Sequence, residues 1–123
     1  LDHAQKMLLA ARQQTATPQI PYLQATAHHL PFASNQFAVV ACLEALEFTP
    51  NPAHALAECV RVLQPGGLLV ISNRVGWDRW LLWGKIWTRP QFAAQLASLP
   101  LTDINIRPWL DIYDLALAKK ELL

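Results

Sequence analysis

The chain has 123 residues, 53% of them hydrophobic and 15% charged, with a formal net charge of +1. Such a chain can bury one core and is too short for two domains. Its near-neutral balance leaves no electrostatic footprint for nucleic acid, and no apolar stretch reaches the roughly 20 residues of a bilayer-spanning helix.

In chain order, Ala4, Met7, Leu8 and Ala11 recur at helical spacing and predict a helix over 3–14, with Asp2 at an N-cap-like position. Pro18 and Pro21 break the chain. YLQAT (22–26) reads as a short strand, and HHLPFASNQ as a loop with Pro31 and Ser34-Asn35 as turn chemistry. From residue 37, FAVVACLEAL opens as a continuous apolar run. Phe37, Val39 and Val40 favour a strand, and the lack of alternation predicts burial on both faces. Asn51 can cap the next helix, with Pro52 in its first position. Ala53, Leu56, Ala57, Val60 and Leu63 form its apolar stripe. His54, Glu58 and Arg61 are expected to face water, with Glu58 and Arg61 spaced to pair.

Gly66 and Gly67 follow that helix and precede LLVIS (68–72), a second strand expected to be buried on both faces. A phosphate cradle needs glycines after a strand and before a helix, where the helix N–H groups point at the anion. Here the order is reversed, so Pro65-Gly66-Gly67 reads as a turn that ends the helix. Trp80, Trp83 and Trp87 fall three and four apart on one helical face, and 88–98 reads as a helix. TDINIRP (102–108) and WLDIYDLALAKK (109–120) alternate as two strands, with Pro108 in their connection. Helices alternating with apolar strands predict an α/β sheet with helices on both faces, parallel at its centre and ending in an antiparallel pair.

Three stretches together carry a resemblance: Leu30-Pro31-Phe32, Phe37-Ala38-Val39-Val40, and Leu56 to Gly67 with its Glu58, Arg61 and Pro65-Gly66-Gly67. They resemble the class I S-adenosylmethionine-dependent methyltransferases of type 11, in the branch of the ubiquinone and menaquinone biosynthesis enzymes. LDHAQKMLLAAR at the start is similar to the family's D-x-S-x-x-M-L segment, with Asp2 and Met7 at its spacing. The resemblance implies a Rossmann-like sheet of order 3-2-1-4-5-7-6. It also implies S-adenosyl-L-methionine as cofactor, with Asp2 on the ribose hydroxyls, as a carboxylate at the end of a parallel strand serves dinucleotides. His3 would lie along the adenine, Thr26 would stand where the family has an acid, and Ala27 would offer its N–H. His28 would face the cofactor, and Ala41 and Cys42 would lie beside its methionine part. Glu44, Trp77 and Trp80 would border a pocket for a small, hydrophobic or aromatic methyl acceptor.

Departures accompany the likeness. Ala38 stands where the family has Asp, Thr26 where it has an acid, and the glycine-rich loop with the first two strands has no counterpart. The expectation is therefore that 1–123 is the C-terminal portion of a single methyltransferase domain, cytoplasmic, without a leader peptide, incomplete and inactive by itself. Cys42 and Cys59 are expected as free, buried thiols of a reducing compartment. The residues alone leave alternatives. Asp2 can be a helix cap. His28 and His29 can be a solvated loop and lack the cluster that a metal needs. Glu44 and Glu47 can be an acid pair or a polar helix edge. The tryptophans can be an aromatic lid, a membrane-facing surface or core. No residue stands out as a catalytic base. A non-catalytic Rossmann-like module that binds a partner through the tryptophans is the competing reading, and a dinucleotide oxidoreductase the weaker third.

Overall fold

The computed structural model describes residues 1–14, 21, 23–76 and 87–122. Its elements are α1 (Gln5–Gln14), β1 (Phe37–Cys42), α2 (Pro52–Val62), β2 (Leu63–Arg74), α3 (Arg89–Ala97), β3 (Leu101–Trp109) and β4 (Tyr113–Lys120), with a 3-10 turn at Leu46–Phe48. The strands form one sheet of order β1-β2-β4-β3. β1 and β2 are parallel, joined by α2; β4 is antiparallel to both β2 and β3.

Helix starts follow their caps. Asn51 accepts a hydrogen bond from the His54 N–H, with Pro52 in the first turn of α2. Thr88 and Gln91 form a reciprocal capping box at α3. One face of the sheet holds the core. Leu69 and Ile71 of β2 and Ala116 and Ala118 of β4 pack with Ala55, Leu56, Cys59 and Val60 of α2 and with Phe92 and Leu96 of α3, all buried. Trp87 stacks on Phe92 at 6.0 Å and so belongs to this core.

The Pro-Gly-Gly turn takes a different form from the expected loop. β2 already begins at Leu63, which pairs with Phe37; the next partners are Val39 and Leu68, so residues 64–67 bulge out of the ladder. Gly66 has φ +77°, the left-handed region. A Cβ on Gly67 would lie 2.7 Å from Leu63 Cδ1, 2.8 Å from the Gln64 carbonyl oxygen and 2.9 Å from that of Ala38.

Other expectations are corrected. Burial on both faces does not hold for β1 or β2: Val39 is 57% exposed, and Leu68 and Val70 are half-buried. The α2–α3 layer covers one face, while α1 buries none of its own residues. The strand expected at 22–26 shrinks to isolated bridges, Asp2 with Gln24 and Thr26 with His29, residue 22 lying outside the described residues. Pro108 lies inside β3, opposite Asp114, and the turn is at 110–112 with Leu110 at φ +46°. β3 is an edge strand, where a missing N–H breaks no ladder bond. The tryptophan face formed with Trp80 and Trp83 falls outside the described residues.

Candidate functional site

Asp2 lies at the carboxyl end of a short parallel pairing. Its N–H donates to the Leu23 carbonyl at 3.1 Å, and its carbonyl accepts from Ala25 N–H at 2.9 Å. α1 follows at once. The Ala4 N–H donates to Asp2 Oδ1 at 2.9 Å, and His3 Nδ1 lies 3.5 Å from the same oxygen. Both contacts use Oδ1, which keeps Oδ2 available. The cap expected at Asp2 is not formed: α1 begins at Gln5, Ala4 stands before it, and the Asp2 carboxylate closes a two-residue turn ahead of the helix.

A cavity of about 650 Å³ opens beside it, within the roughly 300–1,000 Å³ usual for small-ligand sites. Its floor is Asp2, His3, Ala4 and Met7 with Ala25, Thr26, Ala27 and His28; its far wall is Leu43, Glu44, Ala45, Phe48, Thr49 and Pro50. That wall is the chain leaving the carboxyl end of β1. Glu44 there has φ +53°, and its N–H donates to Ser72 Oγ at 2.7 Å, which ties the wall to β2. The structure therefore gathers Asp2, His3, Thr26, Ala27, His28 and Glu44 around one space. Ala41 and Cys42 do not line it: the Cys42 thiol is hydrogen-bonded to Cys59 and packs against the core. That bond and burial push the Cys59 thiol upward. Both thiols are free, Cys59 buried and Cys42 half-buried. Trp77 and Trp80 lie outside the described residues. Among the described residues no cluster of metal-ligating side chains occurs.

Glu47 is placed differently from the polar helix edge weighed above. It is 1% exposed, and its Oε1 accepts the Tyr113 hydroxyl at 2.6 Å. Burial, the bond to Glu47 and its charge push the Tyr113 hydroxyl up to about 12, so it stays a donor at neutral pH. The guanidinium of Arg74 lies over the Tyr113 ring at 5.9 Å. Nearby, Arg89 Nε donates to the buried Asp114 at 2.8 Å, so its charge is already matched. Asn73 grips the Trp87 backbone, donating to its carbonyl at 2.9 Å. Asn73 and Arg74 at the end of β2 and Tyr113 and Asp114 at the start of β4 meet Glu47 of the 3-10 turn and Arg89 at the start of α3. Sequence reasoning missed Tyr113 and Arg74, because their partner is 66 residues from Tyr113 in the chain.

The residues that carry the resemblance also meet. Arg61 does not simply face water. Its guanidinium donates to Glu58 at 2.7 and 3.0 Å, to the Phe32 carbonyl at 2.8 Å and to the Leu30 carbonyl at 3.1 Å, while Glu58 accepts the Leu30 N–H at 3.2 Å. The bond from Arg61 holds the Glu58 carboxyl below the usual carboxylate range. Leu-Pro-Phe and Glu-x-x-Arg are two halves of one clamp.

A family model for a methyltransferase domain, type 11, matches residues 1–71, more than half of the chain. The chain belongs to this methyltransferase domain family. Among curated proteins it is similar to the ubiquinone biosynthesis O-methyltransferase of Marinobacter nauticus, 39% identical over 57 residues, which are 44% of this chain and 24% of that protein. The enzyme of the same name from Stutzerimonas stutzeri is 42% identical over 56 residues, 45% of this chain and 24% of that protein. The match thus spans about a quarter of these relatives' length. Among solved structures, an S-adenosylmethionine-dependent methyltransferase from Thermotoga maritima superposes with a TM-score of 0.77 at 13% identity, covering 97% of this chain and 71% of that one. The [4+2]-cyclase SpnF gives 0.76 at 19%, covering 98% and 64%. These likenesses establish the Rossmann-like methyltransferase fold. Among the described residues no helix is long and apolar enough to cross a membrane.

The pocket of this methyltransferase domain suits the family's cofactor in part. It offers a carboxylate at a parallel-strand end, a hydroxyl and a backbone edge at 25–28, and acidic and apolar groups at the far wall. No glycine is among the residues that line it, so the described pocket has no phosphate-type backbone cradle.

Proposed function

We propose that the protein binds S-adenosyl-L-methionine in this cavity and serves methyl transfer to a small, apolar or aromatic acceptor. The observation that carries the reading is the gathering of Asp2, His3, Thr26, Ala27, His28 and Glu44 around one cavity of about 650 Å³ at the carboxyl ends of the strands. When bound, the cofactor supplies an activated methyl group. The chain's own residues do the rest. Asp2 Oδ2 would accept the ribose hydroxyls. Thr26 and Ala27 would meet the adenine edge, at lower affinity than an acid would give. Leu43, Ala45 and Phe48 would exclude water from the reacting end. Catalysis then rests on proximity and alignment, without a strong base. The acceptor pocket, with Trp77 and Trp80, and a cytoplasmic location belong to the same proposal.

Calorimetric titration with S-adenosylmethionine tests it, on the 123-residue chain and on a form extended at its N-terminus by the family's glycine-rich strand–turn–helix unit. Micromolar binding that weakens at least about tenfold in Asp2→Ala supports the reading, a loss in keeping with charge-assisted hydrogen bonds to hydroxyls. No binding by either form rejects it and favours a non-catalytic module.

A further inference from the structure

The β1–β2 ladder ends at the pair of Cys42 with Ile71. Two residues on, the chain turns out of the sheet and becomes the far wall of the cavity, and it does so at Glu44, with φ +53°. Of the four described non-glycine residues at positive φ, Asn35, Glu44, Asp103 and Leu110, only Glu44 lines the cavity. Asn and Asp enter the left-handed region with little strain; a glutamate stays there where its surroundings hold it. The holder is Ser72. It follows Ile71 in β2, is 0% exposed, and its Oγ accepts the Glu44 N–H at 2.7 Å. A side chain thus supplies the acceptor that the ended ladder no longer does. Beyond Glu44 the wall keeps its own shape. The Thr49 N–H and hydroxyl both donate to the Leu46 carbonyl, at 3.1 and 2.9 Å, and Leu46 is packed in the core. Residue 44 is therefore the joint at which the wall takes its direction.

We infer that Ser72 is a positioning residue for cofactor binding: by holding Glu44 in the left-handed conformation, it sets Ala45 and Phe48 across the cavity from Asp2. The inference rests on the reading given under Proposed function. Ser72 is not among the residues that line the cavity, so it acts through the backbone of Glu44 and not by touching the ligand. Without its hydrogen bond, residue 44 relaxes toward negative φ in part of the molecules, and in those the wall no longer closes the reacting end. Apparent affinity then falls in proportion to the fraction of molecules still in the binding form. If about one fifth of them keep it, binding is about fivefold weaker.

Calorimetric titration with S-adenosylmethionine tests this, on folded variants of the form of the chain that binds it. Ser72→Ala is expected to weaken binding about fivefold. Gly67→Ala strains the far end of β1, beside Ala38, and is expected to leave the affinity unchanged, which separates lost stability from lost fit. Rescue from position 44 supplies the second arm. Asn enters the left-handed region more readily than Glu. With Glu44→Asn already present, Ser72→Ala is therefore expected to weaken binding less than about twofold. Glu44→Thr and Glu44→Asn both remove the carboxylate at an exposed position, but β-branched Thr resists positive φ. Glu44→Thr is expected to bind about fivefold more weakly than Glu44→Asn, and this pair decides the matter if Ser72→Ala does not fold. Unchanged affinity in Ser72→Ala, the same loss with and without Glu44→Asn, or equal affinity of the two position-44 variants overturns the inference and leaves the cofactor reading standing. Failure of wild type to bind in either form overturns both.

Discussion

Arg61 and Glu58 bear more of the structure than two residues on a helix surface usually do. The guanidinium reaches two backbone carbonyls, of Leu30 and Phe32, that have no strand or helix to satisfy them. Arg61→Ala is expected to lower the thermal midpoint by roughly 5 °C, more than loss of a lone surface pair would. The effect depends on pH with a definite sign. Glu58 titrates below its unfolded value in the folded chain, so the unfolded state binds its proton more readily. The clamp's contribution is complete above about pH 5 and fades as pH falls through the lowered folded value. Chemical denaturation of wild type and Arg61→Ala at a series of pH values should show the gap closing toward acid. A gap that widened there would contradict the assignment. Lys120 makes a second such tie. Its Nζ donates to the Leu63 carbonyl at 2.7 Å, to Asn35 Oδ1 at 2.8 Å and to the Arg61 carbonyl at 3.3 Å, at the end of α2 where carbonyls find no partner further along the helix. Lys120→Met should cost about 1 kcal/mol in urea unfolding.

At the scale of elements, the Pro-Gly-Gly bulge near the start of β2 has no room to spare. Gly67 faces two backbone carbonyls that cannot swing away. Gly67→Ala should cost about 1–3 kcal/mol, the range of overpacked sites, read as a shift in urea midpoint with the slope unchanged. Local signals explain what was legible here. Asn51-Pro52 and Thr88 with Gln91 mark helix starts by chemistry that acts over three residues, and both helices begin there. The expected order of helix, glycines and strand is the one observed, with Gly66 and Gly67 in the bulge just after α2. What misled was the apolar run at 37–42. Its composition matches a strand buried on both sides, yet which face is covered depends on helices far away in sequence. Likewise Pro108 looks like a turn residue until β3 is known to be an edge.

For the molecule as a whole, the family could be read from short motifs, and the sheet's antiparallel end from the alternation at 102–120. Leu30-Pro31-Phe32 and Glu58-x-x-Arg61 carried the family likeness and the Glu58–Arg61 pair, while the clamp between them, closed over 29 and 31 residues of chain, was not foreseen. The buried group of Glu47, Tyr113 and Arg74 could not be read, because a Glu in a polar stretch looks solvated unless its partner's position is known. The strand order β1-β2-β4-β3 also sets a timetable for synthesis. β4, the last of the four described strands in chain order, goes between two strands made before it. Until residue 120 has left the ribosome, β2 and β3 each present a bare, hydrogen-bond-hungry edge, and neither the Lys120 tie nor the Tyr113 bond to Glu47 can form. A nascent chain halted near residue 112 would hold its helices and most of its apolar residues with only the β1–β2 pair of the sheet to join them. That is the form on which a holding chaperone would have its largest target.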